Sequence, residues 1–472
     1  MTRAVVLGGG MAGVLAAVAL SRYADAVTII ESDRYPDTPS PRRGLPQGHH
    51  NHMFMRGGVE ALESLLPGIT EELHAAGAKR RALPSGNLTR SGEGWFRRQP
   101  SSAYVVLCSR DLTDHVVRGR ALADERITVL QGTRVTGLTG SAERVSGVRI
   151  QPEGEGERIL DADLVVDATG RRSKAPDWLS GIGVPAVYEE VVDGGFAYAS
   201  RVFEAPPGLR DDFPGVLIQA QAGTGKPGRG AALLPNEGRR WIVTLFGTRG
   251  AVPPTDEEGF VEFARGTRHP VIAELIEKAR PVSEIRPYRG MANRRRYYEK
   301  LPVPEGFIAT GDSLMAPNPN YGTGMSQAAR QAVALRETLR RHRGLRPGLS
   351  RKAQKALARI AVAPWVAATT QDHFFPDVES NAKRRPSPSQ QRVNERVTKV
   401  AAENGRVAEA VFNAAALSGS PLAIFAPANL LAILRGPRLP QLTAAQAIAQ
   451  FPEFGDILDA HAQEIDHVGS GN

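Results

Sequence analysis

The string AVVLGGGMAGVLAAVAL, beginning at Ala4, leaves few folds open to this chain. An apolar run, AVVLG at 4–8, ends in three consecutive glycines and passes at once into an apolar helical run. Gly8, Gly10 and Gly13 fall on the GxGxxG spacing. The first permits a tight turn, the second a close approach of backbone to a pyrophosphate, and the third close packing of helix on sheet. The helical run VLAAVAL follows Met11-Ala12-Gly13. Its first N–H groups lack intrahelical partners and favour an anion. A second apolar run, AVTII at 26–30, ends in Glu31-Ser32. That acid lies near the distance, roughly 20 residues on, where a carboxylate takes a ribose hydroxyl. Strand, glycine turn, helix, strand and acid form a dinucleotide-binding unit. They commit the chain to an α/β fold, without separating a flavin from a nicotinamide dinucleotide.

Two later segments add to this unit. DADLVVDATGRRS, 161–173, predicts a buried strand with Asp167 at its carboxyl end and a small turn at Gly170. Ligands of open α/β sheets bind at such ends, although an ordinary strand-to-loop turn has the same composition. The segment from 305 to 340 predicts a strand, then Gly311-Asp312, then a proline-broken loop. A long helix follows, opening at Tyr321-Gly322-Thr323-Gly324-Met325. Asp312 can accept from a sugar or ribityl hydroxyl. A glycine-lined helix start offers N–H groups to a reduced flavin, which holds negative charge around N1 and the C2 carbonyl.

Length and charge narrow the classes. At roughly 150 residues per domain, 472 residues suggest two or three domains. The single cysteine, Cys108, excludes an internal disulfide and suits a reducing, cytoplasmic setting. The opening residues lack the charged leader and cleavage site of a signal peptide, so none is expected. PLAIFAPANLLAIL, 421–434, is broken by Pro427 and Asn429. It is shorter than the ~20 residues of a spanning helix, so a buried helix is expected, with a greasy lining or weak membrane contact as alternatives. Net charge is +9, but the arginines are scattered and no basic run is interleaved with stacking aromatics. That pattern argues against nucleic acid. KRRPSPSQQRVNERVTK, 383–399, predicts a solvated linker leading into a helix. A positive surface also suits an anionic nicotinamide cofactor or a carboxylate substrate.

GGGMAG with Glu31, then DLVVDATGR, then ATGDSLMAPNPNYGTGMS, in that order, resemble the FAD-dependent aromatic hydroxylases, the group A flavin monooxygenases. CSRDLTDHV, 108–116, adds Arg110, which in such proteins holds the FAD phosphates at a helix start. The resemblance implies FAD contacts at Gly8, Gly10, Met11, Ala12, Gly13, Glu31, Ser32, Arg43, Arg110, Val135, Asp167, Gly170, Gly311, Asp312, Gly322, Thr323, Gly324 and Met325. GLPQGHHNH, WIVTLFGTRG, NRRRYYEKL and APWVAATTQD are similar to bacterial polyketide and polyether epoxidases of the lasalocid and monensin type.

His49, His50 and His52 pose the hardest reading. No local carboxylate or cysteine completes a metal set, so no metal is expected. Structural hydrogen bonding beside the flavin, and contact with substrate or an acid–base role, both stay open. His50 and His52, two apart in an extended segment, would point to the same side. HMFMRGGVEALESLL then looks helical, with Val59, Leu62 and Leu66 on one face. The reacting zone is expected around Gln47, His50, His52, Pro319, Tyr321 and Gly322.

The expected architecture is a Rossmann-like FAD-binding domain, an inserted antiparallel-sheet substrate domain and a helical C-terminal region. The ranges are 1–184 with an excursion near 81–100, 185–298, a return at 299–345, and 346–472. FAYASRVF, GVLIQAQ, GAALLP and RRWIVTLFGT predict strands of the inserted sheet, and GTGKPGRG at 223–230 a hairpin loop rather than a P-loop. Phe196, Tyr198 and Trp241 suit either the pocket face or the sheet core. RVAEAVFNAAAL, 406–417, is helical in spacing, and the terminal VGSGN is expected to be disordered. The resemblance implies transient reduction by NAD(P)H and oxygen transfer from a flavin C4a-hydroperoxide. The acceptor would be an alkene of a large apolar polyketide-like substrate. Ring hydroxylation, or a non-redox FAD-dependent cyclase, is the alternative. The halogenase WxWxIP stretch is absent, and oligomeric state is not legible.

Overall fold

The computed structural model describes residues 1–455, 457 and 458, so the terminal VGSGN lies outside the described residues. The first strand, Arg3–Leu7, is buried on both faces beyond its first residue. That is the pattern of a central parallel strand covered by helices on either side. It sits in the middle of a five-stranded parallel sheet ordered Phe307–Ala309, Leu164–Asp167, Arg3–Leu7, Ala26–Ile30, Ile127–Leu130. Helices Met11–Leu20, Gly324–His342 and Leu349–Asp372 contribute to the same core. The last of these belongs to the C-terminal region, and its Gln354 side chain accepts from Ala309 N–H at 2.8 Å and donates to Ala309 C=O at 3.2 Å.

The inserted sheet is eight-stranded. Ala197–Glu204, Arg240–Gly247, Arg229–Pro235 and Gly215–Ile218 pair antiparallel in that order. Residues 219–228 are the hairpin connection between the last two. Asn87–Ser91 joins this sheet parallel to Gly215–Ile218, so one junction is not antiparallel. Strands Glu189–Asp193 and Asn293–Arg296 stand apart, forming a second, four-stranded sheet with Met315–Ala316 and Glu379–Ser380.

Strand periodicity sorts the aromatic residues. Trp241, Val243 and Leu245 face helices Glu257–Arg265 and Val271–Glu277, and Trp241 stacks on Phe213 with centroids 4.9 Å apart. Tyr198 and Phe246, paired across the strands, lie on the opposite face with Phe196 and Phe375. Trp241 therefore packs in the core between sheet and helices, on the face away from Tyr198 and Phe246. Two other expectations are corrected. Met53–Met55 is a strand, drawn out by pairing with Tyr104–Leu107, and the helix begins only at Arg56. The 421–434 segment is not buried. It forms a 3-10 turn, Pro421–Phe425, and a helix, Pro427–Arg435, leaving Leu422, Phe425, Leu430, Leu431 and Leu434 exposed, because its apolar residues encircle the helix while only Asn429 and Ile433 reach the core. Among the described residues no helix is long and apolar enough to cross a membrane.

Candidate functional site

The glycine turn separates positions the chain itself needs from one it does not. Gly8 has φ +92°, and a Cβ there would lie 2.8 Å from the Ala168 carbonyl oxygen. A Cβ on Gly13 would lie 1.8 Å from the Gly8 carbonyl oxygen. A Cβ on Gly10 would meet no atom within 4 Å. The helix starting at Met11 has no side-chain cap and no acid in its first turn. Its first N–H groups therefore receive no capping side chain or nearby acid from the helix itself. Glu31 accepts from Gly9 N–H at 2.8 Å and Asp33 N–H at 2.9 Å and pairs with Arg42 at 3.2 Å. Arg42 also reaches Asp114 at 3.3 Å, and Arg110 Nε donates to Asp114 Oδ1 at 2.8 Å. With Arg118 also near Asp114, guanidinium groups crowd one carboxylate beside the turn. The expected Arg43 is exposed; its neighbour Arg42 is the buried one, because the chain turns inward at that residue to meet Glu31. Ser32 is exposed, and Val135 is half-buried in the strand Thr133–Gly140.

The second half of the site packs against the first through glycine. Gly311 has φ +59°, and a Cβ there would lie 2.5 Å from Ala12 Cβ. This contact brings Asp312 beside the helix start. Burial raises the Asp312 carboxyl, against Arg171, Arg110 and Arg296, which lower it. Among the described residues the Asp312 side chain has no hydrogen-bond donor. Asp167, by contrast, is consumed by its own turn, accepting from Thr169 N–H at 3.0 Å, Thr169 Oγ1 at 2.6 Å and Ser173 Oγ at 2.6 Å. Gly170, at φ +84°, has open space around it. The helix Gly324–His342 also starts without a side-chain cap or an acid, and the buried Thr323 Oγ1 there has no partner. Gly322 has φ +63°, with Met53 3.3 Å from where its Cβ would stand. Met325 is buried, and Ser326 Oγ accepts from Met55 N–H at 2.8 Å.

The histidine loop docks on the inner face of the eight-stranded sheet. His50 Nδ1 hydrogen-bonds Ser200 Oγ at 2.7 Å, and Ser200 Oγ bonds Thr244 Oγ1 at 2.7 Å. The His50 ring lies against Tyr198 and Tyr288. Burial lowers it to about 3, and its buried Nε2 has no partner. His52 Nδ1 contacts the His50 carbonyl at 2.9 Å, and burial, with Arg110 nearby, lowers it to about 4. The two rings have different partners: His50 reaches across to Ser200 on the sheet, while His52 turns back onto the His50 carbonyl with Arg110 nearby. Gln47 lies in that turn, half-buried. Among the described residues no group of three metal-ligating side chains comes together.

One residue that sequence reasoning missed organises the remaining corner. Asp372 accepts from Tyr321 Oη at 2.5 Å, Asn293 Nδ2 at 2.6 Å and Asn318 Nδ2 at 3.1 Å. Burial pushes its carboxyl up to about 6, against the three hydrogen bonds. Only its position within APWVAATTQD, more than fifty residues from Tyr321 in sequence, could have hinted at it. Pro319 is exposed on the same loop. Tyr321, Phe246, Phe374 and Phe375 line a cavity of about 320 Å³ between the sheet and helices Leu349–Asp372 and Pro388–Glu403.

Comparison with known proteins agrees with this geometry. Residues 1–344 match the model of the FAD binding domain family. The chain belongs to that family. It is 29% identical over 388 residues to Protein Rv3254 of Mycobacterium tuberculosis, covering 79% of this chain and 80% of that one. It is 26% identical to 6-methylpretetramide 4-monooxygenase of Streptomyces rimosus, covering 72% and 75%. The fold matches the crystal structure of p-nitrophenol 4-monooxygenase PnpA from Pseudomonas putida DLL-E4 with a TM-score of 0.61 at 18% identity, covering 89% and 99%.

The residues of this FAD-binding chain fit the cofactor. The open space over Gly10 and the uncapped helix at Met11 suit a pyrophosphate. Arg42 and Arg110 stand beside it, Asp312 offers a free acceptor to hydroxyl groups, and the second uncapped helix with the orphan Thr323 hydroxyl suits a polar ring edge.

Proposed function

We propose that the chain is an NAD(P)H- and O2-consuming monooxygenase that inserts one oxygen atom into an electron-rich unsaturated carbon of a small molecule. Bound FAD would supply the redox and oxygen chemistry. The observation that carries the reading is the uncapped, glycine-lined start of the helix Gly324–His342 beside the cavity at Tyr321. A flavin held only as a wall does not require an N–H cluster at its ring edge. A flavin that cycles does, because its reduced form is an anion. The protein's own tasks are orientation and exclusion of water. Gly322 leaves room for close approach, neutral His50 fixes the loop to the sheet, and Asp372 pins Tyr321 at the cavity wall. Pro319, Gln47 and His52 border the same loops, and we assign them contact roles.

Ring hydroxylation is supported by relatives named for position-directed monooxygenation, 6-methylpretetramide 4-monooxygenase among them. Alkene epoxidation of a polyketide-like substrate shares every requirement up to oxygen transfer and is the second reading, drawn from the motif resemblance. The test is anaerobic mixing of the yellow protein with NADPH, and separately NADH, with and without candidate aromatics and polyenes. Air carrying isotopically labelled dioxygen is then admitted. Bleaching of the flavin band, followed by a product holding one labelled oxygen atom, supports the proposal. A phenol or an oxirane in that product separates the two readings. A flavin that stays oxidised while a polyene is still cyclised overturns it in favour of a non-redox cyclase.

A further inference from the structure

The chemistry of the cavity at Tyr321 narrows the substrate. At about 320 Å³ it lies at the lower end of ligand pockets, roughly 300–1,000 Å³. Its lining holds six side-chain amides: Gln219, Gln221, Asn320, Gln371, Gln391 and Asn394. Gln391 donates to Glu395 at 2.8 Å, but among the described residues the other five amide groups have no hydrogen-bond partner. Each offers both donor and acceptor capacity. A purely hydrocarbon ligand would strip water from them and return no hydrogen bond. The charged residues lining the cavity are Glu93 and Glu395, and no Lys, Arg or His is among them. Lys399, which is not among the lining residues, pairs with Glu93 at 3.2 Å. A carboxylate substrate would find no cation there. The apolar part of the wall combines the rings of Phe246, Phe374 and Phe375 with Leu217 and three alanines, and rings on the wall favour stacking or edge contact with a flat ligand.

We propose that the substrate is a compact, uncharged aromatic compound carrying several hydroxyl, carbonyl or amide groups, and neither a long hydrocarbon chain nor a carboxylate. The assignment rests on the monooxygenase reading for its link to turnover, but binding tests it independently. Calorimetry on the oxidised, FAD-loaded protein would compare dihydroxynaphthalene, naphthalene and naphthoate, which share one ring system and differ in polar groups. The expected result is at least tenfold tighter binding of dihydroxynaphthalene than of the other two. That advantage should collapse in a Gln219→Leu, Gln371→Leu double variant that retains its FAD. If the variant fails to hold FAD, the wild-type ranking alone decides. Equal or tighter binding of naphthalene or naphthoate, no binding of any probe, or an unchanged ranking in a flavin-loaded double variant overturns the proposal. NADPH-dependent bleaching is recorded separately. Binding in the expected order without bleaching sinks the monooxygenase reading and leaves the cavity assignment standing. Bleaching with the reverse order does the opposite.

Discussion

Replacing Gly10 with alanine separates what the fold needs from what a ligand needs. Gly10 has φ −79° and ψ −176°, values any residue adopts, and its added Cβ would meet nothing in the protein. The apoprotein should therefore lose no stability, and it gains up to about 0.4–1 kcal/mol from reduced freedom of the unfolded chain. FAD binding should behave differently. If a pyrophosphate occupies the open space, one extra methyl at its backbone contact costs about 1–3 kcal/mol, the usual penalty of overpacking. That is a loss of roughly fivefold to two-hundredfold in affinity. Thermal unfolding of the apoprotein with and without FAD, together with quenching of flavin fluorescence, measures both. Gly13→Ala is the contrast: its Cβ would collide with the Gly8 carbonyl oxygen at 1.8 Å, so apoprotein stability itself should fall. The reasoning fails if Gly10→Ala binds FAD as tightly as the parent chain, or if its apoprotein unfolds early.

Asp372→Ala leaves three buried donors without an acceptor, so unfolding free energy should drop by about 2–4 kcal/mol, with Asp372→Asn losing less; denaturant titration of both would show it. Because burial raises Asp372 from 3.8 to about 6, the folded state binds a proton that the unfolded state does not between those values. Its contribution therefore favours folding as pH falls from about 6 to about 4, by up to ~3 kcal/mol, and the difference between parent and Asp372→Asn across that window reads it out. His50 and His52 act in the opposite sense. Held neutral down to about 3 and about 4, they contribute stability above the ordinary value of 6.5 that is lost as pH falls below it. Neither ring should titrate between pH 5 and 8 by NMR, and a midpoint near 6.5 for either would refute their burial as neutral groups. Glu31→Ala removes the acceptor of two backbone N–H groups and the partner of Arg42, and weakened FAD retention on gel filtration is the expected result.

The glycine spacing, the acid after the second strand and the two later strand ends were legible without coordinates. Each is local: a turn geometry or a helix start is settled by a few consecutive residues. The same locality shows which glycine is for the ligand, once the space around Gly10 is compared with that around Gly8 and Gly13. Side-chain direction was not legible. Trp241 and Phe246 sit five apart on one strand, so alternation puts them on opposite faces, but which face meets the helices and which meets the cavity is decided by what packs on each. Arg42 and not Arg43 turns inward because Glu31 and Asp114 wait there, from two other segments. The apolar 421–434 stretch is exposed because its residues encircle the helix and only one side finds a core. Asp372 gathers donors from three positions 51 to 79 residues away, a convergence that no spacing rule encodes. Composition and local pattern determined that this chain would bind a dinucleotide. The cavity, its amides and the carboxylate that holds its wall exist only because distant segments fold against one another.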